Sequence, residues 1–339
     1  MNHHTNIIAT RRTASRALLA SVSTVFLLSA CDSDSKGKGS LDVALEAEDT
    51  VVEGLSPGTE GESIQDGWTV SFDKYIATVG PVHVTQSGNA SVEVEGEDTF
   101  AVDLTTLSSG GLSLWSLADL EEGRWDFGYD TPVATAATIR DESVTAEDFD
   151  AMVAAGWTYY VDGTLSQDGG LSCPPASLAT PGDATPTGDM SGPNDCYANP
   201  TIRFVFGAAA DTEFGPCEID EIPGVTIASD ETRNAAASIH GDHIFFNGFP
   251  EGDEGGVIRL AQWMADCDLN LDGTVTEAEL MAIAPDQLPE IDDTQYQLGG
   301  SPITPLNTMY DYLRAQLKTQ GHFQGEGECA VDGEAHHDD

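Results

Sequence analysis

Four oxygen-bearing side chains stand at positions 1, 3, 5 and 12 of the stretch 268–279: Asp268, Asn270, Asp272 and Glu279. Thr274 at position 7 can add its backbone carbonyl, and Thr276 at position 9 a contact through water. Gly273, at position 6, lacks the Cβ that would hinder a sharp turn, and Val275 at position 8 is an apolar anchor pointing away from the charges. A hard divalent cation takes six or seven oxygens, two of them from the last carboxylate, so Ca²⁺ is the expected ligand of this set.

The stretch fills every position of D-x-[DN]-x-[DN]-G-x5-E and resembles the EF-hand loop. That resemblance implies a helix on either side. Val257, Leu260, Ala261 and Met264 recur at helical steps before it, and residues 277–284 are mostly good helix formers that stop at Pro285. EF-hands usually work in pairs, and no second loop is present. Asp292-Asp293 lacks the glycine, and Lys36 falls where the stretch from Asp32 would need an oxygen. A single loop of this kind is expected to be structural and non-catalytic, with a dissociation constant of about 10⁻⁴–10⁻³ M, as in extracellular modules.

Histidines supply a second chemistry. Ser238-Ile239-His240-Gly241-Asp242-His243 resembles the H-x-H-x-D-H zinc motif of metallo-β-lactamase-fold hydrolases, but a serine stands where the first histidine belongs. The further ligands and the βα alternation of that family do not follow. His240 and His243, joined by His322 or His83, are candidates for a second metal, with zinc or copper suited to imidazole. A transition-metal binding protein or metallohydrolase centred on His240 and His243 is therefore the alternative to a structural calcium protein. His336 and His337 lie in the acidic C-terminal tail, a poor place for a fixed site. The chain has no G-x-S-x-G elbow, no H-E-x-x-H and no phosphate-cradling glycine loop, so a non-enzymatic role is expected.

The first 30 residues read as a targeting signal. Arg11, Arg12 and Arg16 precede a short apolar run over residues 17–28, which ends in Leu28-Ser29-Ala30-Cys31. This resembles the lipobox of bacterial lipoproteins, which implies cleavage before Cys31, a lipid on its thiol, and attachment to a membrane of the cell envelope, the outer membrane above all. The periplasm or the cell surface is then the compartment. Loss of residues 1–30 removes three of the 13 basic residues and none of the 58 acidic ones. So negative a chain disfavours nucleic acid as a partner and attracts cations. Beyond the anchored membrane, the expected partner is an unidentified protein or glycan ligand. Five further cysteines (Cys173, Cys196, Cys217, Cys267 and Cys329) are odd in number, so at least one stays out of any internal pair.

The elements that must position these groups are mostly strands. Residues 68–79, 82–85, 100–104, 157–165, 201–206 and 238–246 alternate or concentrate apolar residues between Gly- and Pro-rich breaks. One helix is expected from Thr145, its cap, to Gly156, its stop. Residues 168–198 form a long loop with Cys173 and Cys196 near its ends, apt for a disulfide. Leu306, Tyr310, Leu313 and Leu317 mark one face of a late helix. The expected fold is mainly β, a β-sandwich-like body with an α-helical C-terminal part that carries one EF-hand-like helix-loop-helix. Its segments are a signal peptide (1–30), a tether (31–40), the β-rich domain (41–250), the helical region (251–324) and the acidic tail (325–339).

Overall fold

The computed structural model describes residues 36–332, apart from 60, 189, 192–193, 250–256 and 290–295. The signal peptide, Cys31, His336 and His337 lie outside the described residues. From Lys36 onward the chain forms one compact unit, and it is mainly β.

Two large sheets enclose a shared core. The larger has a main path of nine strands, in the order Glu93–Gly96, Val82–Gln86, Gly123–Thr131, Thr212–Ile219, Gly327–Val331, Gly321–Phe323, Thr232–Ile239, Lys38–Ala47 and Leu112–Glu121. Two short strands pair alongside that path. Its two end strands come together: a Cβ on Gly96 would lie 2.8 Å from the Trp115 ring. The sheet therefore curls nearly into a barrel, which shields edges that would otherwise offer open backbone groups. The second sheet runs Thr274–Thr276, Thr201–Ala208, Tyr159–Ser166, Thr69–Val79, Phe100–Asp103 and Ile139–Arg140. The chain passes between the sheets at Gly80-Pro81, where Gly80 has φ +103°, a conformation that only glycine adopts cheaply.

Alternation in the sequence becomes alternation in space. In Lys38–Ala47, Leu41, Val43 and Leu45 are fully buried while their neighbours are half-exposed. Trp68, Trp115 and Trp125 lie in the core, each removing a large apolar area from water, and none of them forms an exposed aromatic platform. The helix Ala146–Ala155 forms as its signals require: the Thr145 hydroxyl accepts the Asp148 N–H at 3.1 Å, and Gly156 closes it at φ +68°. Lys74 ties that helix to the sheet through both oxygens of Asp148.

The C-terminal third departs from expectation. Among the described residues, the helix that leads into residue 268 is only Gln262–Ala265. Arg259 and Leu260 use their backbone as strand does, in bridges to Ile64 and Phe246 and in the bond from Leu260 N–H to the Phe245 carbonyl. After the loop the helix is Glu277–Ala282, shorter than the pattern suggests. Ile283 and Ala284 are extended, as the residue before a proline prefers to be. The strand expected over 238–246 ends at Ile239 and gives way to a 3₁₀ turn, Gly241–Phe245. A Cβ on Gly241 would stand 2.5 Å from Val51, so only glycine lets the chain turn inward there. The helix Met309–Leu317 matches its apolar face, with Tyr310, Leu313 and Leu317 buried. Residues 327–331, read from the sequence as part of a loose tail, form a strand of the larger sheet.

Two disulfides are present, Cys173–Cys196 across the long loop and Cys217–Cys329 between paired strands; Cys267 is a buried thiol. Among the described residues no helix is long and apolar enough to cross a membrane. The Cys217–Cys329 bridge spans 112 residues and the other 23. The longer closure restricts the unfolded chain more. We expect Cys217→Ser with Cys329→Ser to cost about 3–5 kcal/mol in urea denaturation, and Cys173→Ser with Cys196→Ser to cost less.

Candidate metal centre

The site is built at the ends of two parallel strands. Lys38–Ala47 and Thr232–Ile239 run side by side, with Ala47 opposite Ile239. The residues that follow, Glu48 and His240, therefore emerge at the same end of the sheet, held by the bond from Glu48 N–H to the Ile239 carbonyl (3.1 Å). On the other side, Gly321–Phe323 pairs antiparallel with Thr232–Ile239 and sets His322 opposite Ser238. The Tyr129 hydroxyl lies 2.9 Å from the Ser238 carbonyl and 3.1 Å from that of His322, fixing this pair from below. The 3₁₀ turn then swings Asp242 and His243 inward.

Three imidazoles converge as a result. His240 and His243 are buried and His322 is half-buried, and one ring nitrogen from each lies within 4.8 Å of the others. The His240 and His322 rings stack at 3.8 Å, while His243 stands edge-on to both. Ligand nitrogens around a tetrahedral ion at about 2.0–2.1 Å sit roughly 3.4 Å apart, so binding would draw the three nitrogens together and turn the stacked His240 and His322 rings until both lone pairs aim at one ion. This group could hold a metal ion. His83 does not join it: it lies on Val82–Gln86 against Gly128, where it moderates the burial-raised pKa of Asp130.

Hydrogen bonds choose the ring nitrogens. His243 Nδ1 is 2.9 Å from the Thr319 hydroxyl, which itself donates to the Gln316 carbonyl at 2.8 Å. That hydroxyl has one proton and has spent it, so it must accept from His243 Nδ1–H. The lone pair of a neutral His243 is then on Nε2. His240 Nε2 is 3.0 Å from the Gly325 carbonyl, which can only accept, so the lone pair of a neutral His240 is on Nδ1. Such outer hydrogen bonds orient imidazole ligands and raise their basicity.

A charged layer lies beside the rings. Asp242 is fully buried and bonded to Arg259, whose guanidinium also reaches the Gly61 carbonyl and covers the Phe246 ring at 4.8 Å. Phe246 in turn stacks on His243 at 4.2 Å. Burial would raise the Asp242 carboxyl, but the electrostatic attraction of the neighbouring His243, Arg259 and His240, with a side-chain hydrogen bond from Glu48, outweighs it and leaves the pKa lowered. Glu48 behaves oppositely. Burial first, and then the charge of Asp242, push it well above the ordinary carboxylate range, despite a 2.6 Å bond from the Thr50 hydroxyl.

The loop 268–279 has a different character. Its three short-range bonds run as a cation loop needs: Asp268 Oδ2 accepts from Gly273 N–H (2.9 Å), Asn270 Oδ1 from Asp272 N–H (2.7 Å) and Asp272 Oδ1 from Thr274 N–H (2.9 Å). Gly273 has φ +82°, and Val275 is buried in parallel pairing with Phe204. The carboxylates themselves do not converge as the histidines do. Glu279 turns both oxygens to the loop, accepting from Leu269 N–H and from Thr276 N–H and hydroxyl. Asn270, Asp272 and Thr276 are exposed. Asp268 is fully buried, and its Oδ1 has no hydrogen-bond partner. Burial raises its pKa, and Glu279 and Asp272 add to that rise.

The sequence alone missed Glu48, Arg259 and Thr319 as parts of the histidine site. Only Arg259 carried a signal, as a cation just past the acidic stretch 251–254 in a chain with few basic residues. No family model matches this chain, and neither a curated protein nor a solved structure is similar to it.

Glu48 gives a pH test. The folded protein holds its proton where the unfolded chain, with a value near 4.5, has lost it. A proton bound more tightly in the native state makes stability fall as pH rises from the ordinary glutamate range through the raised native value. With metal chelated, we expect the urea midpoint of the wild type to fall between about pH 5 and pH 8, and Glu48→Gln to flatten that slope.

Proposed function

We propose that this chain is an exported metal-binding protein whose functional ion is a transition metal held by His240, His243 and His322. The observation that supports it most is the convergence of three imidazoles from two separate segments, with hydrogen bonds that leave a lone pair on His240 Nδ1 and His243 Nε2. Nitrogen donors without a thiolate suit Zn²⁺ and Cu²⁺. The role is binding rather than catalysis, and the two disulfides fit a compartment outside the cytosol. A lipid on Cys31 would hold it at the envelope, with a protein or glycan ligand as a further partner. Wild-type protein titrated with Zn²⁺ in a calorimeter should bind one ion at this site, and His243→Ala or His322→Ala should each weaken it by about 100-fold, or roughly 2.7 kcal/mol. No isotherm in the wild type ends this reading.

The loop 268–279 supports a second, structural ion. Asp268 Oδ1, buried and without a partner, is the kind of atom that costs stability unless a cation or water meets it. Ca²⁺ there would draw Asp268, Asn270, Asp272, Thr274, Thr276 and Glu279 together and fix the two short helices around the loop. At a free concentration about 100 times its dissociation constant, an ion that binds only the folded chain adds about 2.7 kcal/mol. EGTA should therefore lower the melting temperature, and Asp268→Asn with Glu279→Gln should remove the response. Equal melting with Ca²⁺ and with EGTA would count against it.

A further inference from the structure

Lys38, Lys74, Arg203, Arg259, Arg314 and Lys318 each pair with an aspartate. Arg124 and Arg233 make no ion pair among the described residues, although the chain holds 58 acidic residues, and the two line one depression of about 430 Å³. No carboxylate lines it among those residues. Arg124 is held in place by donating to the Pro223 carbonyl at 2.5 Å, and Arg233 is exposed. Guanidinium groups left without a carboxylate in so acidic a chain are ready receptors for a planar anion from outside.

A second depression, of about 520 Å³, shares Asn234 and Gln324 with the first, so the two form one groove across Thr232–Ile239 and Lys38–Ala47. At its middle Ala44 stands opposite Ala236, and their small side chains leave room for a ligand. Gln324 is fixed at the junction by its N–H, which donates to the Ala236 carbonyl at 3.0 Å. The exposed amide groups of Asn234 and Gln324 each donate and accept, as a peptide unit does. The far end is acidic. Asp42 is turned away to the Ser116 hydroxyl on the outer neighbouring strand (2.7 Å), which leaves Glu46 facing the groove's end as its available carboxylate.

We propose that this groove binds a short zwitterionic peptide, its free carboxylate on Arg124 and Arg233 and its ammonium group on Glu46. Glu46 is opposite Ser238, five residues beyond Arg233 on one strand, or about 17 Å at the rise of a strand. An extended tetrapeptide covers about 14 Å, and the arginine and glutamate side chains reach the rest. Between the charged ends the two amides meet its backbone and the alanines exclude no side chain, so recognition falls on the two termini. The groove uses none of the three histidines, and the proposal stands apart from the metal reading.

The test is calorimetry with tetra-alanine bearing free termini, its C-terminal amide and its N-acetyl form, on wild type, Arg233→Gln and Glu46→Gln, each checked by near-ultraviolet circular dichroism for a native fold. Amidation should weaken binding to wild type about 5- to 10-fold, Arg233→Gln should cost the free peptide a similar factor, and the two losses should not add. N-acetylation and Glu46→Gln should form a second such pair. Unspecific attraction to an acidic surface predicts the reverse order, because the amidated peptide is the more positive; if it binds more tightly than the free one, the proposal is overturned. It is overturned equally if wild type binds none of the three. If the acetylated peptide binds as well as the free one and acetate displaces it, the arginines hold a lone anion and the peptide site falls.

Discussion

The pairing of Lys38–Ala47 with Thr232–Ile239 is the constraint on which the candidate site depends. Because the pair is parallel, both strands end at the same edge, and Glu48 and His240 arrive there together. A slip of one residue would turn each side chain to the opposite face and break the meeting. The register is held by burial: Leu41, Val43 and Leu45 on one strand and Ala235, Ala237 and Ile239 on the other face the core. Burying side chains of the larger kind stabilises by about 1.5–3 kcal/mol each, so a slipped register would forfeit much of that set at once.

The same edge concentrates ionisable groups that would repel or lose hydration if placed singly. Asp242, Arg259, Glu48 and three histidines occupy one interior region. Most are answered by a neighbour in the fold: Arg259 by Asp242 and the Gly61 carbonyl, Glu48 by the Thr50 hydroxyl, His243 by Thr319, His240 by Gly325. Buried charge of this density contributes little net stability, since desolvation offsets most of the attraction. A fold that keeps it is keeping an arrangement. The acidic loop at 268–279 differs in kind, for Asp268 and Glu279 are buried while Asn270, Asp272 and Thr276 are exposed.

Strand-rich character, the capped helix over 146–155 and the Cys173–Cys196 staple were legible because each is written locally: in alternation, in Thr145 and Gly156, in a loop bounded by two thiols. The C-terminal third was read as helical for the same reason, and there local texture misled. Leu260 has helical spacing to Val257, Ala261 and Met264, yet its N–H bonds to Phe245 and the carbonyl of Arg259 beside it accepts from Gln65. Long-range pairing of that kind outweighs propensities worth tenths of a kcal/mol. The strands Gly321–Phe323 and Gly327–Val331 were hidden because short glycine-bounded runs carry too few residues to show a period.

By itself the sequence determined which atoms are available: imidazoles at 240, 243, 322 and 83, oxygens at fixed intervals from 268 to 279, and five cysteines after Cys31. It determined these because ligand chemistry belongs to the side chain alone. Which of those atoms meet is a property of pairing and burial across the chain. Tertiary structure brought His322 to His240 across 82 positions, left His83 elsewhere, and added Glu48 from the far end of the body. It did so because strand register, and not proximity in sequence, sets which side chains share an edge.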